Sequence, residues 1–282
     1  MSVLIDGKAL AAKLRGELKE KISLYKAEHG EIGLAVVLIG EDPASQVYVR
    51  NKIKACEEVG IRSFSYRLPE NCTQENAEEL IRELVASDKV HGILVQLPLP
   101  KGLDERKLLK LIPPEKDVDG FCAENVGNLA MNRETIVACT PFGVMKMLEE
   151  YNISLRGKKA VVLGRSNIVG KPMAMLLVNA DATVTVCHSR TENLKEVCVE
   201  ADILVVAIGK AKFVTADMVK EGAVVIDVGM DRDENGKLCG DVDFESVKDK
   251  ASYITPVPGG VGPMTITMLL YNTYLAASRR NA

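Results

Sequence analysis

Three side chains in one stretch of this chain have the spacing to act together. Ser45, Tyr48 and Lys52 stand at i, i+3 and i+7, so a helix lines a hydroxyl, a phenol and an amine along one face. The stretch follows a continuous apolar run, GLAVVLI at residues 33–39, which reads as a buried parallel strand. In open α/β sheets ligands bind at the edge where such strands end. Alone, the three residues also fit a solvated helix face. Gln96 is the one amide near the end of a second buried run, residues 92–97. A buried amide without partners costs about 1–3 kcal/mol, so Gln96 either satisfies nearby backbone or faces a site.

The segment VVLGRSNIVGKPMAMLL, residues 161–177, is suited to holding an anion. It reads as a strand, a tight turn at Arg165-Ser166-Asn167, and a helix resuming from Ile168. Such a turn offers unpaired backbone N–H groups and the positive end of a helix dipole to a phosphate. The match to G-x-G-x-x-G is imperfect: Gly164 takes the first position, Ser166 the second, and Gly170 comes one residue late. A purely structural turn is the alternative. NAD-binding folds tip their second strand with an acid for the ribose 2′-OH, but here that strand ends Cys187-His188-Ser189-Arg190 and the next acid is Glu192. Arg165, Ser189 and Arg190 offer the donors a 2′-phosphate wants, so NADP is expected over NAD. Ile168, His188, Ile208, Gly209 and Thr255 complete the residues expected at the cofactor. Residues 255–263 (TPVPGGVGP) hold three prolines and three glycines, a loop of fixed shape whose backbone can approach a ligand closely.

The elements that must position these groups follow from pattern and caps. A helix covers residues 8–29, with Leu10, Leu14, Leu18, Ile22 and Tyr25 in one stripe. Asp42 as N-cap and Pro43 at the first position open the helix that carries Lys52, which runs to Gly60. A strand is expected at 61–67 and helices at 73–86 and 103–112, followed by a polar loop, PPEKDVDG, at 113–120. A helix at 142–151 and a last helix from Pro263 to about Arg279 are expected to bridge two domains. Strands at 159–163, 183–187, 203–208 and 223–228 give the second domain a four-stranded nucleotide half-sheet, with short helices at 194–200 and 215–220. Residues 231–243 read as an exposed hairpin or loop. The fold class is α/β with two domains: residues 1–140 plus 264–282, and residues 141–263.

Composition narrows the function. The 282 residues are enough for about two domains. Net charge is −3 with no basic block, so nucleic acid is not an expected partner. No run is long enough to span a bilayer, and no charged-then-apolar leader follows Met1, so a cytoplasmic protein free of membranes is expected. Seven scattered cysteines without a C-x-x-C pair suggest reduced thiols, and three distant histidines make a metal site unexpected.

Taken together, the motifs resemble one family, the bifunctional methylenetetrahydrofolate dehydrogenase/cyclohydrolases. They are SQVYVRNK at 45–52, GILVQLP at 92–98, KDVDGF at 116–121, CTP at 139–141, GRSNIVGKP at 164–172 and PVPGGVGPMT at 256–265. They keep the family order and cover nearly the whole chain. The resemblance implies a catalytic α/β domain and a Rossmann-like NADP-binding domain with a folate cleft between them, usually in a homodimer. It implies oxidation of 5,10-methylenetetrahydrofolate to the 5,10-methenyl form, then hydrolysis to 10-formyltetrahydrofolate. By the same resemblance Lys52 is the essential lysine, Gln96 holds it, Tyr48 completes the Tyr-x-x-x-Lys pair, and Asp119 binds the pterin. Ser45 shares the helix face, and Pro258, Gly259, Gly260 and Val261 contact folate. A methenyl cation needs a group that orients or deprotonates water, and an amine serves when burial disfavours its charged form. Cys122-Ala123-Glu124 departs from the family pattern. The rivals are a dehydrogenase lacking the hydrolytic step, disfavoured by the Tyr48, Lys52 and Gln96 set, and a shikimate-type dehydrogenase, disfavoured by the loops at Asp119 and Pro258. A silent NADP- or folate-binding module would be expected to lack part of the site.

Overall fold

The computed structural model of the chain describes residues 2–280. The elements run β1 (Val3–Leu4), α1 (Gly7–His29), β2 (Gly33–Ile39), α2 (Pro43–Val59), β3 (Arg62–Leu68), α3 (Gln74–Ala86), β4 (Gly92–Val95), α4 (Glu105–Lys110), α5 (Ala123–Ala130) and α6 (Cys139–Glu150). They continue with β5 (Lys159–Leu163), α7 (Gly170–Asn179), β6 (Thr183–Cys187), α8 (Leu194–Cys198), β7 (Ile203–Val206), a 3-10 turn (Ala216–Met218), β8 (Val224–Asp227), β9 (Asp231–Arg232), β10 (Leu238–Cys239), α9 (Phe244–Val247), β11 (Tyr253–Ile254) and α10 (Val261–Arg280). The chain divides into two units. One comprises Lys13–Cys139 and the chain from Ile266 onward; the other comprises the chain up to Ala12 and Thr140–Thr265. The divisions fall inside α1 and α10 and at the start of α6.

The first unit is built on a three-stranded parallel sheet in the order β3-β2-β4. Every residue of β2 is buried, as a continuous apolar run in a parallel sheet requires. Val37, Ile39, Ile93 and Val95 from the sheet pack with Ile81 and Leu84 of α3 and Leu108 of α4. Helix α2 starts as its sequence dictates: Asp42 Oδ2 accepts from Ser45 N at 2.7 Å, Pro43 opens the first turn, and Gly60 closes the helix with φ +87°.

The second unit holds a six-stranded parallel sheet in the order β1-β11-β8-β7-β5-β6. Val161, Leu163, Leu204, Val206 and Val225 of its strands share a core with Cys187, Val247 and Ile254.

Four expectations are corrected. The half-sheet of four strands gains β1 and β11, two-residue strands too short to carry a period, and their pairing draws residues up to Ala12 into the second unit rather than the first. Helix α7 begins at Gly170, not Ile168, because Ser166 Oγ accepts from both Val169 N (3.2 Å) and Gly170 N (3.3 Å) and prolongs the turn. Strand β4 stops at Val95, and an additional helix, α5, follows the Asp119 loop; Cys122 Sγ accepts from Asn125 N at its start. The 231–243 stretch does form a hairpin, but Asp241 at its end is fully buried.

Candidate active site

In the first unit, three elements deliver polar groups to one place. Helix α2 leaves the carboxyl end of β2 through Gly40, and β4 ends beside β2, Val37 opposite Val95. Gln96 N still donates to Val37 O at 2.9 Å, which sets Gln96 one step beyond the strand at the same edge. Lys52, 9% exposed on α2, donates from Nζ to Gln96 Oε1 at 3.0 Å. Gln96 Nε2 donates to Leu97 O at 2.7 Å, so the amide is satisfied on both sides. The helix face reads as the spacing implied: Ser45 and Lys52 are buried, Tyr48 is half-buried, and Val49 and Cys56 form the core stripe next to them. Burial pushes the Tyr48 phenol up, which keeps it a neutral donor.

The loop bearing Asp119 forms the third side. It runs alongside β4, with Asp117 bridged to Ile93, and it packs Val118 where a Cβ on Gly92 would meet Val118 Cγ1 at 2.5 Å. Asp117 is a structural clamp, not a free charge. Its oxygens accept from Gly120 N (3.2 Å), Cys122 N (2.7 Å) and Asn125 Nδ2 (3.1 Å). Lys116 is likewise engaged, donating to Val85 O and Ser87 O at the end of α3. Asp119 differs from both: burial pushes its carboxyl up to about 7, the Lys52 charge pulls it down, and Asp117 adds to the rise. The Asp119 carboxyl therefore lies within electrostatic reach of the Lys52 amine. Burial also drives the Cys139 thiol well above its ordinary range, with Asp119 next among the causes. Such a thiol packs and hydrogen-bonds, here to Val118 O at 3.3 Å, and is no nucleophile.

Sequence reading missed one support of this loop. Asn272 of α10, fully buried, donates from Nδ2 to Val118 O (2.9 Å) and Val137 O (2.8 Å). The signal was available: a lone amide beside Leu269, Leu270 and Thr273 in an apolar helix must find partners.

In the second unit, the sheet register sets the predicted cofactor residues along one edge. Leu163 pairs with both Cys187 and Val206, so Gly164, His188 and the residues after Val206 leave the sheet at the same level. Gly164 has φ +122°, and a Cβ there would meet Ala207 O at 2.1 Å; a Cβ on Gly170 would meet Gly164 O at 2.2 Å. The turn is thus a cradle that only glycine can line, and it leaves Arg165, Ser166 and Ile168 exposed at its rim. Ser189 and Arg190 are exposed next to it, and Arg190 N donates to the half-buried His188 at Nδ1 (3.1 Å). Ile208 is half-buried and Gly209 exposed. Thr255 is buried, its Oγ1 accepting from Asp227 N at 2.7 Å. These groups fit a dinucleotide phosphate: backbone donors, a glycine cradle and two guanidinium groups at the rim. The loop holding Pro258, Gly259, Gly260 and Val261 rests against the start of α1, where Lys8 N donates to Gly259 O at 2.9 Å. Among the described residues no group of three or more His, Cys, Asp and Glu side chains could hold a metal ion, and no helix is long and apolar enough to cross a membrane.

Comparison with known proteins gives a consistent picture. Residues 5–119 match the family model for the tetrahydrofolate dehydrogenase/cyclohydrolase catalytic domain, and residues 138–281 match the NAD(P)-binding domain of the same family. The bifunctional protein FolD of Streptococcus pneumoniae is 61% identical over 280 residues, covering 99% of this chain and 98% of that one. The crystal structure of the bifunctional FolD enzyme of Campylobacter jejuni superposes with a TM-score of 0.98 at 54% identity, covering 99% of this chain and 100% of that one. The Trypanosoma brucei dehydrogenase-cyclohydrolase, solved with NADP cofactor and inhibitor, gives 0.94 at 43% identity, covering 99% of this chain and 98% of that one.

Proposed function

The chain belongs to the tetrahydrofolate dehydrogenase/cyclohydrolase family, and on that premise we propose how its residues divide the work. The protein oxidises 5,10-methylenetetrahydrofolate to the 5,10-methenyl form with NADP and hydrolyses that product to 10-formyltetrahydrofolate, a step of one-carbon metabolism. NADP, when bound, supplies the hydride acceptor.

The observation that carries the assignment of roles is the buried Lys52–Gln96 pair, with the Asp119 carboxyl within electrostatic reach of the amine. Gln96 fixes the amine. Lys52 orients the water that attacks the methenyl carbon and relays its proton. Asp119 accepts from the pterin 2-amino group and N3–H, a two-point match that carboxylates make well. Tyr48 stacks on the substrate or donates to it, and Ser45 lines the same face. The backbone around Pro258–Val261 contacts folate. For the hydride step the protein has mainly to align two rings. Gly164, Ser166 and Gly170 shape the phosphate cradle, and Arg165 with Ser189 and Arg190 takes the 2′-phosphate. Ile168, His188, Ile208, Gly209 and Thr255 complete that site.

We also propose that the unit of residues 13–139 with the chain from 266 onward acts as the folate domain and the unit of residues up to 12 with 140–265 as the nucleotide domain, and that the protein works as a cytoplasmic homodimer without nucleic-acid partners. The direct test follows absorbance of the methenyl intermediate in the purified protein, comparing NADP with NAD. Formation of the intermediate without its decay would indicate a dehydrogenase alone and remove the hydrolytic role of Lys52.

A further inference from the structure

Asp241 has a buried carboxyl that the two reactions do not use. It is 0% exposed and collects three consecutive backbone N–H groups: Ile208 (2.7 Å) and Gly209 (3.2 Å) donate to Oδ2, and Lys210 (2.6 Å) donates to Oδ1. Those residues form the loop that leaves the carboxyl end of β7. The loop stands at the edge of the glycine cradle, since the Gly164 turn closes directly on Ala207 O. Gly209 holds φ +65° and is exposed, and a Cβ built on it would meet nothing within 4 Å, so the loop turns bare backbone outward at the ligand edge.

Asp241 is itself held in place. Asp227, at the end of β8, accepts from Asp241 N at 3.0 Å through Oδ1 and from Val242 N at 2.9 Å through Oδ2. Asp227 N is anchored by Thr255 Oγ1 at the end of β11. A continuous run of hydrogen bonds therefore links β11, β8 and the end of the hairpin to the loop after β7. Burial and the neighbouring Asp241 carboxyl push the Asp231 carboxyl above its ordinary range.

We propose that Asp241 is a positioning residue for cofactor binding: it holds the backbone of Ile208–Lys210 in the conformation the dinucleotide meets, without touching the dinucleotide. The proposal rests on the reading of Ile208 and Gly209 as part of the NADP site. Its physical basis is the acceptor count. Two carboxyl oxygens receive three N–H groups, whereas an asparagine keeps one oxygen and turns an NH2 group toward a donor.

The test is the affinity of the full-length protein for NADPH, read by nucleotide fluorescence, beside nucleotide-free hydrolysis of methenyltetrahydrofolate. Asp241→Asn is expected to raise the Kd for NADPH about tenfold or more, while kcat and KM of the hydrolysis stay as in the parent. Asp241→Glu keeps both oxygens one carbon further out, and a folded protein with a smaller rise in Kd is expected. If the Asn variant does not fold, the Glu variant carries the test. An unchanged Kd in the folded variant overturns the proposal. Parallel losses of hydrolysis and nucleotide binding also overturn it, since they would mark Asp241 as a general support of the fold. If the parent protein binds no NADPH, the reading of the nucleotide site fails, and the proposal falls with it.

Discussion

Lys52 Nζ donates to Gln96 Oε1 at 3.0 Å, which ties a helix face to the first residue beyond a strand. The direction of the bond is fixed from the other side, because Gln96 Nε2 is engaged by Leu97 O at 2.7 Å and only the oxygen is left to face the amine. Lys52→Met should therefore lower methenyl hydrolysis by about 10²–10⁴-fold, the usual worth of a positioned acid–base group, while folate and NADP binding stay nearly intact. Decay of methenyl absorbance and equilibrium titrations measure the two arms. Hydrolysis at the parent rate would take Lys52 out of the chemistry.

Arg165 sits exposed at the rim of the glycine cradle. Arg165→Ala removes a guanidinium from a site proposed to hold a 2′-phosphate, so NADP affinity should fall about 10–100-fold and NAD affinity much less. Competitive titration of the two nucleotides decides it. Equal losses would place Arg165 elsewhere than at the 2′-phosphate.

The pH dependence should report on Asp119. Burial raises its folded-state value to about 7 from 3.8. As pH falls through that range the carboxyl becomes neutral and loses an acceptor the pterin needs, so KM for methenyltetrahydrofolate should rise below about pH 7. Asp119→Asn should flatten that profile, with KM raised above about pH 7 and approaching the parent's below it. The stability sign is opposite to that of an ion-paired carboxylate. With the folded value above the unfolded one, the folded state holds the extra proton between about pH 4 and 7, and stability falls as pH rises through that window. Asp119→Asn should therefore gain stability over the parent above about pH 7 and show no such gain below about pH 4, as measured by urea unfolding.

Gly170→Ala tests the turn. The added Cβ would lie 2.2 Å from Gly164 O and 2.8 Å from Arg165 Cα, all backbone that must shift. Such crowding costs about 1–3 kcal/mol, so urea unfolding should show a loss of that order. NADPH affinity should fall with it, while hydrolysis persists in the folded fraction. Parent-like NADPH affinity would show that the turn does not cradle the nucleotide.

Much of this site is legible in the sequence. The i, i+3, i+7 spacing of Ser45, Tyr48 and Lys52 needs only helical geometry, and Asp42, Pro43 and Gly60 marked the ends of that helix through local backbone chemistry. The run GLAVVLI announced a buried strand by composition alone. Lys116 and Asp117 show the limit of such reading. In the sequence they are two more charges of the Asp119 loop, yet one caps α3 and the other clamps its own loop.

Local rules of this kind act over a few residues, and that is why the order of helices and strands, the glycine turn and the polar face of α2 could be read from residue types and spacing. Contacts between distant residues obey no such rule. The Lys52–Gln96 bond spans 44 positions, the Asn272–Val118 bond 154, and the three bonds from the 208–210 loop to Asp241 span 31 to 33. Each exists only because packing brings separate elements together. β1 and β11, two residues each, have too little length for a pattern and become strands only by pairing. Residue type and spacing determined which groups could do chemistry; the tertiary structure decided which partner each one meets, because a buried polar group is costly unless it pairs with a donor or acceptor that the fold has placed beside it.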